Sequence, residues 1–458
     1  MYLTITEAAA ALRNGETTSV ALTEAAFAAA DAHDEKLGVY LSRFDETALA
    51  AAAKADTELA GGTDRGPLHG IPLGIKDIIA TEEGATTAQS LVLDRAWGAG
   101  GDAPVVARLR AAGAIITGKT TTMEYAIGTP DPEKPFPIPR NPWNTRHYPG
   151  GSSSGTGNGV AAGLFLGGLG TDTGGSIRYP ATSCGITGLK QTFGRVPKAG
   201  CVPLGYSYDH IGPMARTAED CAAMLTVLAG HDARDATSVD RPVGDYSSGL
   251  TGSLEGMRIG IDMLLDRSPM TVPELKPALD AAVAELTAAG AEVVEVRLPL
   301  YDELKSATMI GLTAEAYAYH QPDLRARWLD YGAGTRMAVA TGALISAGDY
   351  VQAQRVRRVG QHKVAALFDD VDLILTPTSA CGAPEVEKLT LDDIVDALHT
   401  PYWNALGNPA MSVPMGFTSD GLPLGLQIIG KPFDEAAVLA AGFAYQQRTT
   451  SHLQTPDL

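Results

Sequence analysis

The sequence predicts an α/β protein with helices on both faces of a sheet. Two observations carry this. Short apolar runs alternate with helix-length amphipathic stretches twice, at residues 71–117 and again at 257–296. The composition, 45% hydrophobic and 19% charged, is that of a chain that buries a core and not of a disordered one. Taken in order, Thr4 and Glu7 have the spacing of a helix capping box, and Ala-rich helical stretches follow at 20–32 and 46–60, the second closed by Gly61 and Gly62. Residues 71–75 read as a buried strand leading to Lys76 and Asp77. Residues 104–112 read as a helix capped by Gly113, and 114–117 as the next strand. The Pro-, Gly- and Ser-rich stretch 128–159 reads as mostly loop, and the polar stretch 231–256 as a linker or surface excursion. Beyond it come a strand at 257–261, a helix at 274–289, strands at 291–296 and 371–375, and a terminal amphipathic helix at 435–447.

Composition also excludes functions. Lys and Arg number 35 against 53 Asp and Glu, a net charge of −18, which argues against a nucleic-acid partner and mildly against a strongly anionic substrate. The four cysteines, Cys184, Cys201, Cys221 and Cys381, lack CxxC spacing, so neither a disulfide framework nor a Cys-rich zinc site is expected. No histidine pair has metal-ligand spacing, and no metal is expected. The N-terminus lacks a basic region followed by an apolar core, and the longest apolar run, 160–170, falls short of the ~20 residues of a membrane helix. The expectation is a cytoplasmic enzyme with no membrane association.

Residues 113–120 match the phosphate-loop pattern GxxxxGK[ST]. That loop needs a strand before it and a helix after it. Here a helix precedes Gly113, and the β-branched residues between the glycines are themselves the strand. A nucleotide-binding protein is therefore the disfavoured alternative.

Two Gly/Ser segments remain: Gly150-Gly151-Ser152-Ser153-Ser154-Gly155, and residues 170–181, which contain Thr173-Gly174-Gly175-Ser176. A serine directly after two glycines sits on backbone that can turn sharply and present consecutive N–H groups to a developing oxyanion. No histidine near it forms a Ser-His-Asp pattern, and GxSxG is absent around Ser176.

These segments, with Lys76 after its short strand and Ser152 placed 24 positions before Ser176, resemble the amidase signature family. The similarity continues through 184–190, 194–197 and 404–415. The resemblance implies one α/β/α domain over 1–458 with a central mixed, twisted sheet: a helical part at 1–60, a catalytic core at 66–230, and a part at 257–458 completing sheet and pocket. It implies a Ser–cis-Ser–Lys triad, with Ser176 as nucleophile, Ser152 as the bridging serine after a cis bond from Gly151, and Lys76 as base. Thr173, Gly174 and Gly175 would hold the oxyanion, and Ser153, Asp172 and Arg178 would support the site. No cofactor is needed, because the triad and water complete the reaction. A substrate pocket is expected from Met123, Tyr125, Gly128, Thr129, Arg195, Tyr402 and Trp403, with Arg195 as a possible gate. That lining points to an uncharged amide, anilide or carbamate, cleaved by a monomer or homodimer similar to aryl acylamidases and amidase-type urethanases. The alternative is the glutaminase subunit of a tRNA-dependent amidotransferase in the same family. That subunit grips its substrate with an Arg, loosely matched by Arg336, and an Asp, which would fall near Ala397, in Asp396-Ala397-Leu398-His399.

Overall fold

Seven of the eleven strands are buried at every position, which is what a sheet covered on both faces requires. The structure is a computed structural model that describes residues 2–458. The strands are β1 (Tyr40–Arg43), β2 (Pro72–Lys76), β3 (Ile115–Thr120), β4 (Gly167–Asp172), β5 (Thr187–Lys190), β6 (His210–Ala215), β7 (Arg258–Ile261), β8 (Glu292–Glu295), β9 (Leu373–Pro377), β10 (Ala410–Phe417) and β11 (Pro423–Gly430). They form one sheet in the order β1-β3-β2-β4-β6-β5-β10-β11-β9-β7-β8. The sheet is mixed. One parallel group, β3-β2-β4, and another, β8-β7-β9, flank a central antiparallel run. Helices pack on both faces, as the alternation predicts.

The first helix, Ile5–Asn14, has the Thr4/Glu7 capping box and ends on Gly15 in the left-handed region. Residues 113–120 do not form a phosphate loop: Gly118, Lys119 and Thr120 lie in β3. The stretch 231–256 carries no helix or strand.

Two features depart from the sequence reading. A helix, Ser154–Ala161, begins inside the stretch read as loop. Its glycines serve close packing. A Cβ on Gly155 would come within 2.4 Å of the Val39 carbonyl oxygen, and one on Gly159 within 2.2 Å of the Phe165 ring. The long helix Tyr301–Arg327 is unmarked in the sequence because Pro322, inside it, reads as a breaker.

Candidate active site

Lys76 ends β2, between the parallel strands β3 and β4, and its side chain is fully buried. Ser152 and Ser153 reach it from the glycine turn that opens helix Ser154–Ala161, and the Gly151–Ser152 peptide bond is cis. Gly151 is closely packed at that turn: a Cβ there would lie 2.6 Å from Met123 Cε and 2.7 Å from the Tyr148 hydroxyl. Lys76 Nζ lies 2.7 Å from Ser152 Oγ, 2.7 Å from Thr171 Oγ1 and 3.1 Å from Ser153 Oγ. Every partner is a hydroxyl. Burial brings its ammonium down to about 7, opposed only by more distant groups such as Asp172 and Asp209. Ser153 accepts from the Thr171 N–H at 3.1 Å and donates to the Thr171 carbonyl, which ties the serine turn to β4.

The second Gly/Ser segment follows β4. The backbone N–H groups of Thr173, Gly174, Gly175 and Ser176 donate to no other group among the described residues. The turn itself is anchored. Thr173 Oγ1 donates to Asp209 Oδ1 at 2.6 Å, Thr400 Oγ1 donates to the Gly174 carbonyl at 2.7 Å, and the Ser153 N–H donates to the Ser176 carbonyl at 3.3 Å. Beneath it, Arg178 pairs with Asp172 through two bonds of 2.9 Å, both side chains fully buried. Burial works to raise the Asp172 carboxyl, but the adjoining Arg178 guanidinium holds it well below the usual carboxylate range. Arg178 also donates to Gln427 Oε1 at 2.6 Å and Asn404 Oδ1 at 2.7 Å, and Asn404 donates to Asp172 at 2.8 Å.

Ser176 is partly exposed and opens onto a cavity of about 810 Å³. Met123, Gly128 and Thr129 line it, as the sequence predicts. Four predicted residues are placed elsewhere. Tyr402 and Trp403 are fully buried in a core cluster with Tyr301 and Ile374 and are absent from the lining. Their neighbour Pro401 faces the cavity, and the helical turn that starts there sends the two aromatics inward. Tyr125 packs edge-on against His320. Arg195 is no gate. It is buried, with Nε 2.6 Å from the Tyr246 hydroxyl and Nη2 2.7 Å from the Pro242 carbonyl, so it pins the 231–256 excursion. The other walls come from segments without a sequence signal: Met309 and Leu312 on helix Tyr301–Arg327, Met337, and Val395. Among the described residues no Lys, Arg or His lines the cavity, and its charged groups are Asp392 and Asp396.

Among the described residues no cluster of three His, Cys, Asp or Glu could hold a metal ion, and no helix is long and apolar enough to cross a membrane.

The amidase family model matches residues 21–439. A glutamyl-tRNA(Gln) amidotransferase subunit from Chloroflexus aggregans is 41% identical over 100% of this chain and 98% of its own. Among solved structures, the peptide amidase from Stenotrophomonas maltophilia is 31% identical with a TM-score of 0.86, covering 99% of this chain and 98% of that one. A bacterial aryl acylamidase of the amidase signature family is 25% identical with a TM-score of 0.88, covering 98% of each chain. The Chloroflexus relative overturns two expectations about partners. Net charge argues against nucleic acid, and the sequence reading has the chain acting as a monomer or homodimer. Yet full-length relatives are named as one subunit of an enzyme for glutamyl-tRNA(Gln). Net charge is a property of the whole surface and says little about a local interface.

Proposed function

The chain belongs to the amidase family, and from that premise we propose that it cleaves an amide C–N bond through an acyl-enzyme on Ser176. The observation that carries this reading is the fully buried Lys76, brought to about 7 and 2.7 Å from Ser152 Oγ. Neutral Lys76 takes the Ser152 proton as Ser152 takes the proton of Ser176, and Ser176 Oγ attacks the carbonyl. The N–H groups of residues 173–176 hold the oxyanion. The proton returns to the leaving amine, and water activated by the same pair hydrolyses the ester.

Two readings of the substrate have support. The relatives' names favour a glutaminase that releases ammonia inside a complex with partner subunits and tRNA. The lack of a lining cation favours an amide, anilide or carbamate without a carboxylate. Glutamine's carboxylate needs a cation, and none lines the cavity. Arg336 is turned to the Tyr331 carbonyl at 3.1 Å; residue 397 is a buried alanine, and the carboxylates that do line the cavity near it are Asp392 and Asp396.

The test is intact-mass and peptide mapping after treatment with a fluorophosphonate, followed by ammonia or amine release from glutamine, an alkyl amide, an anilide and a carbamate. A single adduct on Ser176 is expected. Turnover of the apolar substrates by the isolated chain supports the second reading. Glutamine turnover that needs a partner subunit supports the first. A folded chain that takes no label at Ser176 refutes the acyl-enzyme.

A further inference from the structure

We infer that Thr400 is a positioning residue for the oxyanion turn, setting the direction of the Gly175 N–H from 225 residues away in the chain. The inference rests on the acyl-enzyme reading above and adds to it a residue outside both Gly/Ser segments.

The geometry of one peptide unit carries the argument. Thr400 Oγ1 donates to the Gly174 carbonyl oxygen at 2.7 Å. That oxygen belongs to the same planar unit as the Gly175 N–H, and in a trans unit the two point in opposite directions. Holding the oxygen therefore aims the N–H to the other side. Neither glycine has a side chain to fix the plane, and Gly175 sits at φ +136°, a conformation that tolerates rotation in glycine alone. Without Thr400 the plane has no side-chain restraint.

The contact is also built to be exclusive. A Cβ at Gly175 would fall 2.0 Å from Thr400 Oγ1, so the hydroxyl occupies the space a side chain would take. Thr400 is itself buried and held: its carbonyl accepts from Arg178 Nη1 at 3.2 Å and from the Trp403 N–H at 3.1 Å. Arg178 thus grips both flanks of the turn, Asp172 before it and Thr400 across from it.

The experiment measures phosphonylation of Ser176 by a fluorophosphonate in wild type, Thr400→Val and Thr400→Ser, separating the maximal rate from the half-saturating concentration. The phosphonyl oxygen enters the oxyanion site as a substrate oxygen would. Valine keeps the β-branched shape and removes the donor. Its maximal rate should fall ~10–100-fold, short of the ~10²–10³-fold for a donor removed outright, with the half-saturating concentration within threefold. Serine keeps the donor and should stay within threefold of wild type. Thr400→Ala should repeat the valine result, which covers the case of a valine variant that folds poorly. An unchanged maximal rate in Thr400→Val, or a Thr400→Ser protein as slow as Thr400→Val, overturns the inference. A wild-type chain unlabelled at Ser176 overturns the acyl-enzyme reading and this inference together.

Discussion

Two lysines lie side by side in the sheet and are treated in opposite ways. Lys76 ends β2, and Lys119 sits in β3, where it is in register with Ile75. Both side chains are fully buried. Burial disfavours the charge on each. Lys119 has a carboxylate, Asp77 Oδ1, at 2.9 Å and a hydroxyl, Thr86 Oγ1, at 2.9 Å. Lys76 has three hydroxyls and no carboxylate in reach, and falls to about 7. The acid next to Lys76 in sequence is Asp77, and the fold gives it to the other lysine. Burial alone does not make a base. What separates the two is whether a counter-charge was supplied.

The comparison can be tested by removing each side of it. Ser176→Ala should cost the most, at least ~10³-fold in turnover, with an unchanged melting temperature; residual activity above that level removes Ser176 as nucleophile. Lys76→Met should lower turnover at pH 7 by ~10²–10⁴-fold, the range for a general base. In the proposed mechanism the base is the neutral amine, so wild-type kcat/KM should rise with pH through about 7 and then level off. The variant should lack that rise, and a rise that persists assigns it to another group. Lys119→Met should do the reverse. It strands Asp77 as a buried charge and should cost ~3–5 kcal/mol in urea unfolding, while turnover of the folded fraction stays within a few fold. Tyr402→Phe should have the smallest effect. It removes the 2.9 Å bond to the Pro299 carbonyl, worth about 1 kcal/mol. A change in substrate preference would return Tyr402 to the pocket.

What the sequence makes legible follows from how locally each part is encoded. Lys76 and the two serine turns each sit in a short contiguous segment of turn-forming or strand-forming residues, and these the sequence displays. The layer beneath them is not local. Thr400, Asn404 and Gln427 meet Arg178 across 222 to 249 positions, and nothing in their own neighbourhoods marks them. The cavity walls are missed for the same reason: Met309 and Leu312 belong to a helix whose apolar residues look like ordinary core. Arg195 is misread as a gate because a lone cation in a Gly/Pro-flanked loop looks free to face a pocket, while its donors are spent on one hydroxyl and two carbonyls of a segment more than 40 residues on. Helix Ser154–Ala161 is misread because glycine signals freedom to turn and closeness of approach alike.

The position of β10 and β11 has a consequence for synthesis. They are the last two strands in the chain, yet they sit between β5 and β9, joining the two parts of the sheet. As the chain leaves the ribosome, both parts can form before their connector exists. Until residue 430 has emerged, β5 and β9 each offer an unpaired edge, the kind of surface that pairs with the wrong strand. Gln427 arrives with the same hairpin, so Arg178 waits for it as well. Closure of the sheet and completion of the hydrogen bonds around Arg178 therefore depend on the same late-synthesised hairpin.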